Sequence, residues 1–397
     1  MSGTERPRPV EPPRPVDSTN WQDPDLIHWS FSHVDQILPT ATIDRGREIA
    51  PLPPAPVDLS ELPVTTPYGG PTTVAEVIAT TNTDAWLVLH RGRVLAEHYA
   101  GSTTPGSRHL LQSVSKTLVG GVVGALVGRG LIDTARPVST YAADLVDCPY
   151  GTATVRQVLD MRSGLGFRED YDDPLSDSRV LEAITGWAPL PPGVPPSTLR
   201  SFLRSLPQVR PHGGAFDYRS CETDVLGLVC EGATGSPFPQ LAAEVLWSVL
   251  GVEADALICL DSAGTGVFDG GLGVTLRDLA RFGFMIISGG VSLTGEQVLP
   301  AGWVEDSFVG GPDSTAAFAA TAAANLMPGG RYRNQLWLPS ADRDVALALG
   351  IHGQLLYLDR RTGLVGVKLS SWSEPSNPAK SSAAVAAFAA IGRWLTT

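Results

Sequence analysis

Lysine is nearly absent from this chain of 397 residues: of its 29 basic side chains only Lys116, Lys368 and Lys380 are lysines, and the rest are arginines. A guanidinium keeps its proton inside a protein, whereas a buried amine can lose one. A lysine retained in a sequence that otherwise uses arginine therefore marks a position suited to proton transfer. Cysteine is scarce as well. Cys148, Cys221, Cys230 and Cys259 form no Cys-x-x-Cys pair, which speaks against a zinc site or a disulfide framework and for thiols in a reducing cytoplasm. The opening residues hold no apolar leader-like run, and the longest apolar stretch, Leu118 to Val127, is short and broken by glycines. A cytoplasmic protein without a membrane partner is expected. No Gly-x-Ser-x-Gly occurs, so a lipase-type nucleophile elbow is excluded.

What is present describes a globular protein with ample core: 43% hydrophobic and 18% charged residues, outside the disordered range. A net charge of −12 argues against nucleic acid, which needs a basic face. Fourteen of the 33 prolines precede Thr72. Residues 1–20 are therefore expected to be a disordered proline-rich end, with Trp21, Trp29 and Phe31 wrapping the following segment onto the body. The chain is compatible with a homodimer.

One stretch, Leu110 to Ile132, reads as a helix that is apolar nearly all round and so belongs between layers. At its head stand Ser113 and Lys116, three apart and hence on one helical face. A serine hydroxyl is inert at its own pKa, and an amine kept neutral by desolvation can take its proton. Packing gives such a helix no reason to carry these two residues.

Around this stretch the pattern is mixed. Trp86–His90 and Val94–Tyr99 flank Arg91-Gly-Arg93 as a hairpin. Residues 152–161 read as a short amphipathic helix, and 167–215 as a long polar loop zone of functional character. Residues 223–235, 239–250 and 275–287 read as helices, separated by a glycine-rich loop at 264–273. Strands are expected at 335–338, 345–351, 354–358 and 364–369, followed by a helix at 381–395. The fold class is α/β (α+β): an antiparallel sheet from both chain ends flanked by helices, formed by 21–145 and 265–397, with a mainly helical domain at 146–264.

Two further clusters stand out, Tyr218-Arg-Ser220 before an apolar helix and Gly350-Ile-His-Gly-Gln354 at a strand end. With Ser113-x-x-Lys116, in this order, they resemble the motifs of the serine β-lactamase and penicillin-binding protein superfamily. Within it the chain looks most like the 6-aminohexanoate-dimer hydrolases and related carboxylesterases. The strings that carry this are His109-Leu-Leu-Gln-Ser-Val-Ser-Lys116, Glu169-Asp-Tyr-Asp-Asp-Pro174, Gly350–Gln354 and Val367-Lys-Leu-Ser-Ser-Trp372.

The resemblance implies that Ser113 attacks a carbonyl with Lys116 as base. Tyr218 would relay the proton to the leaving amine or alcohol, and the N–H groups of Ser113 and Ile351 would hold the oxyanion. It also implies an acyl-enzyme cleared by water, with neither metal nor organic cofactor. Tyr171 looks like the tyrosine that covers substrate in the dimer hydrolases, and Trp187 like a pocket tryptophan. Glu182 and Asp269 fall where an amino-terminated substrate would be received, and His352 is placed as a pocket residue. Ile351 stands where β-lactam-binding members carry a cation, and losing such a contact removes about 1.5–3 kcal/mol of recognition. Hydrolysis of linear amides or short acyl esters is thus expected over a β-lactamase or D,D-peptidase activity. A non-catalytic binding protein on the same fold is the remaining alternative.

Overall fold

The computed structural model describes residues 11–397. Its centre is a seven-stranded, wholly antiparallel sheet in the spatial order Arg93–Tyr99, Thr83–His90, Leu364–Ser370, Gln354–Asp359, Val345–Gly350, Leu336–Leu338, Arg331–Arg333. Strands from near both ends of the chain thus lie side by side, as the sequence pattern requires. Alternate residues face opposite layers. Leu87, Leu89, Val365 and Val367 join the main core, while Trp86, Val88, Leu355 and Tyr357 join a second core under the C-terminal helix Pro378–Trp394. There Phe388 stacks on Trp86 with ring centroids 3.9 Å apart.

The stretch read as one helix is three elements: a strand, Arg108–Leu110, a 3-10 turn, Gln112–Val114, and the helix Ser115–Gly128. All helix residues from Ser115 to Leu126 are buried. It packs on the helix Ser220–Thr234, as expected of a helix without a polar face.

A second, four-stranded sheet was not legible in the sequence. It runs Thr40–Ile43, Ala256–Cys259, Leu272–Thr275, Arg108–Leu110. Its strands are only three or four residues long, and one emerges from the glycine-rich stretch read as loop. The zone 167–215 also holds more order than a loop. Helices Asp177–Ile184 and Leu199–Ser205 form within it, capped by Ser176 and Thr198, whose hydroxyls accept the N–H groups of Arg179 and Ser201.

Of the expected disordered end, residues 1–10 lie outside the described residues. From residue 11 the chain is laid against the body: Arg14 pairs with Asp23 and Asp25, and Trp21 is buried. Among the described residues no helix is long and apolar enough to cross a membrane, and the four cysteines are free.

Candidate active site

Ser113 owes its position to the short sheet. The strand Arg108–Leu110 pairs with Leu272–Thr275, and Leu111 N–H donates to Leu272 O at 2.8 Å. The chain then turns sharply through Gln112, whose φ is +48°, a region sparsely populated by non-glycine residues. Ser113 follows on the 3-10 turn, directly ahead of the helix that carries Lys116.

Lys116 Nζ donates to Ser113 Oγ at 2.8 Å and to Asp269 O at 2.7 Å. The Asp269 carbonyl is itself held in place. Asp224, fully buried on the Ser220–Thr234 helix, accepts the N–H groups of Phe268 and Asp269 at 3.0 and 3.2 Å. Tyr218 closes the third side, its ring centroid 5.4 Å from Lys116 Nζ. Burial pushes the Tyr218 phenol up, opposed by the charge of Lys116 and by hydrogen bonding to Ser113 and Lys116.

The protonation of Lys116 departs from expectation. Desolvation alone would favour a neutral amine, but Tyr218, Asp269, Glu169 and Asp224 together outweigh it and raise the pKa.

Above this floor lies a cleft of about 390 Å³, lined in part by Ser113, Tyr171, Glu182, Trp187, Asp269 and Ile351. Six residues singled out from four separate stretches of sequence thus meet in one cavity. Trp187 is buried against Trp21 (centroids 5.5 Å apart, edge to face), and its carbonyl accepts Trp21 Nε1–H at 2.7 Å. The N-terminal segment therefore buttresses the cleft wall. Glu182 is paired with Arg179 at 2.6 Å. Burial nevertheless pushes its carboxyl up to about 7, with Asp269 and Glu169 adding to the shift and Arg179 opposing it.

His352 is not a pocket residue. It is 2% exposed, its Nδ1–H donates to Trp372 O at 2.7 Å, and its ring meets the Phe31 ring edge to face. Burial lowers its pKa to about 4, so it is a neutral ring behind the loop that presents Ile351.

Glu169 and Asp224 hold the site together without belonging to any of its motifs. Glu169 accepts Ser220 N–H at 2.8 Å and Ser220 Oγ–H at 2.6 Å, and the Tyr171 hydroxyl also donates to it. A carboxylate at the N-terminus of a long helix is favoured by the free N–H groups and the helix dipole. It ties the loop carrying Tyr171 to the helix that follows Tyr218. The string Glu169-x-Tyr171 was visible, but its closure onto a residue 51 positions away was not.

The Beta-lactamase family model matches residues 74–391. The chain belongs to the β-lactamase family. It is 39% identical over 358 residues to the 6-aminohexanoate-dimer hydrolase of Paenarthrobacter ureafaciens, covering 90% of this chain and 88% of that one. Among solved structures, a proposed 6-aminohexanoate-dimer hydrolase of Bacillus anthracis superposes with a TM-score of 0.87 at 26% identity, over 96% of this chain and 97% of that one. A family VIII carboxylesterase shares the fold, with a TM-score of 0.57 at 16% identity over 80% and 96% of the two chains. This family member is a serine hydrolase, and the resemblance drawn from its motifs holds for family and fold.

Proposed function

We propose that the protein hydrolyses linear amides ending in a free amine, and short acyl esters, through an acyl-enzyme on Ser113. The observation that carries this reading is the 2.8 Å contact of Lys116 Nζ with Ser113 Oγ at the floor of the cleft. Once Lys116 has shed its proton it accepts that of Ser113 as Oγ bonds to the carbonyl carbon. The oxyanion rests on the N–H groups of Ser113 and Ile351. As the C–N or C–O bond breaks, Tyr218 gives its phenolic proton to the leaving group and recovers one from Lys116. Water then attacks the acyl carbonyl and releases Ser113.

The acids about the cleft favour a cationic end on the substrate. Asp269 and Glu182 both line it, and Ile351 supplies no cation for a substrate carboxylate. The 39% identical relative is named for an amide dimer of this type, which supports the same reading.

Intact-protein mass spectrometry with linear amide, ester and β-lactam panels tests the proposal. A fast-forming, fast-clearing adduct on Ser113 from the amide or ester panel is expected. Ser113→Ala is expected to abolish turnover of p-nitrophenyl butyrate. Undiminished turnover by Ser113→Ala sinks the assignment, and an adduct from β-lactams alone replaces the substrate class.

A further inference from the structure

Ile351 sits in a turn that the backbone would not adopt unaided. Between the strands Val345–Gly350 and Gln354–Asp359 the chain makes one 3-10 turn, Ile351–Gly353, with φ of +59° at His352 and +93° at Gly353. A non-glycine residue in the left-handed region is strained and persists only where its surroundings hold it. The turn also backs closely onto the Ser113 segment: a Cβ on Gly350 would stand 2.8 Å from Leu111 O.

One buried side chain ties the turn to the neighbouring strand. The ladder between Gln354–Asp359 and Leu364–Ser370 ends at the pair Leu355–Lys368, and on its other edge the second strand shifts register against Thr83–His90 at Leu369/Ser370. Beyond that point the Gln354 amide continues the pairing. Its Oε1 accepts Ser370 N–H at 3.0 Å and its Nε2 donates to Ser370 O at 2.6 Å. The same Nε2 lies 3.3 Å from His352 O and 3.4 Å from Ile351 O, so its second N–H is shared between the two carbonyls of the turn. Gln354 is 2% exposed, where no water competes for these bonds. The far side of the turn is clamped by His352 N–H to Pro375 O at 2.9 Å and by Trp372 N–H to His352 O at 3.2 Å.

We infer that Gln354 is a positioning residue: its amide holds the Ile351 and His352 carbonyls against the end of the neighbouring strand, and by fixing the peptide after Ile351 it restrains rotation about that residue and so keeps the Ile351 N–H aimed at the developing oxyanion. The inference rests on the acyl-transfer reading above. An oxyanion donor acts only where its N–H meets the anion rather than the ground-state carbonyl. A loosened peptide should therefore lower kcat and leave substrate binding nearly intact.

The test compares Gln354→Met with Gln354→Glu. Methionine keeps the volume and loses every hydrogen bond. Its kcat for p-nitrophenyl butyrate is expected to fall about ten- to hundredfold, short of the 10²–10³ seen when an oxyanion donor is removed outright, with KM changed by less than about twofold. The affinity for butylboronic acid, which makes a tetrahedral adduct with the serine, should fall by the same factor. Glutamic acid, kept protonated by burial, retains one donor and one acceptor and should recover part of the rate lost in Gln354→Met. It should then lose rate on raising the pH, as its carboxyl ionises. Wild-type kcat and boronate affinity in Gln354→Met overturn the inference, as does a Gln354→Glu rate that follows the wild-type pH profile. The latter measurement decides the matter if Gln354→Met does not fold. Failure of a fluorophosphonate to label Ser113 in the wild-type protein overturns the acyl-transfer reading itself; labelling with unaffected Gln354 variants removes only the role of Gln354.

Discussion

The surroundings of Lys116 favour the charged amine, whereas its proposed role requires the neutral one. Nearby acidic groups raise its pKa against the pull of desolvation, so the competent, neutral form grows with pH. kcat/KM for a neutral ester is expected to rise with pH from about 6 to 9, since a general base works only when deprotonated; a flat profile would contradict this. Lys116→Arg keeps the charge yet cannot deprotonate, and should cost about 10²–10⁴ in rate. Glu182 titrates the other way for binding. With its carboxyl pushed up to about 7, it is negative above that pH and neutral below it. KM for an amine-terminated amide should therefore rise as pH falls through 7, while the neutral ester serves as the unaffected control. Glu182→Gln should raise KM for the amide and remove that pH dependence. Motif spacing identified Ser113, Lys116 and Tyr218 as candidates, but the protonation of Lys116 depends on Glu169 and Asp224, which only folding brings near.

The helix Ser220–Thr234 organises more of the site than its sequence announces. Its first residue holds Glu169, and Asp224, one turn on, holds the Phe268–Asp269 backbone that anchors Lys116. Gly227 lets the ring of Phe268 lie against it: a Cβ there would come within 2.3 Å of the ring carbons. Gly227→Ala should destabilise the fold by about 1–3 kcal/mol through overpacking, read from the urea midpoint. It should also lower kcat more than a surface Gly→Ala control, because the displaced backbone carries the Asp269 carbonyl. The long elements were legible from periodicity, since a buried helix and an alternating strand leave repeating apolar marks. The helices at 177–184 and 199–205 and the four-stranded sheet were not. In elements of three to eight residues a cap or a pairing partner outweighs the pattern.

The cleft is a property of the whole molecule, because its walls come from segments far apart in the chain. Trp21 and Trp187 pack 166 positions apart, and the N-terminal wrap ends on the tryptophan that lines the cavity. Trp21→Ala removes a ring that is 1% exposed and should cost about 3–5 kcal/mol, measured by chemical denaturation. Near-wild-type stability would show that the wrap is loosely held. The sequence by itself determined the chemistry on offer: a serine three residues before a rare lysine, a tyrosine ahead of an apolar helix, and an antiparallel sheet shared by the two chain ends. Those follow from short-range spacing and from which residues must avoid water. Only the tertiary structure decided that acidic groups gather about Lys116 and raise its pKa, that His352 stands behind Ile351 rather than in the cleft, and that Glu169 faces Tyr171 and Ser220. Charge, burial and hydrogen bonding are set by neighbours that no local pattern names.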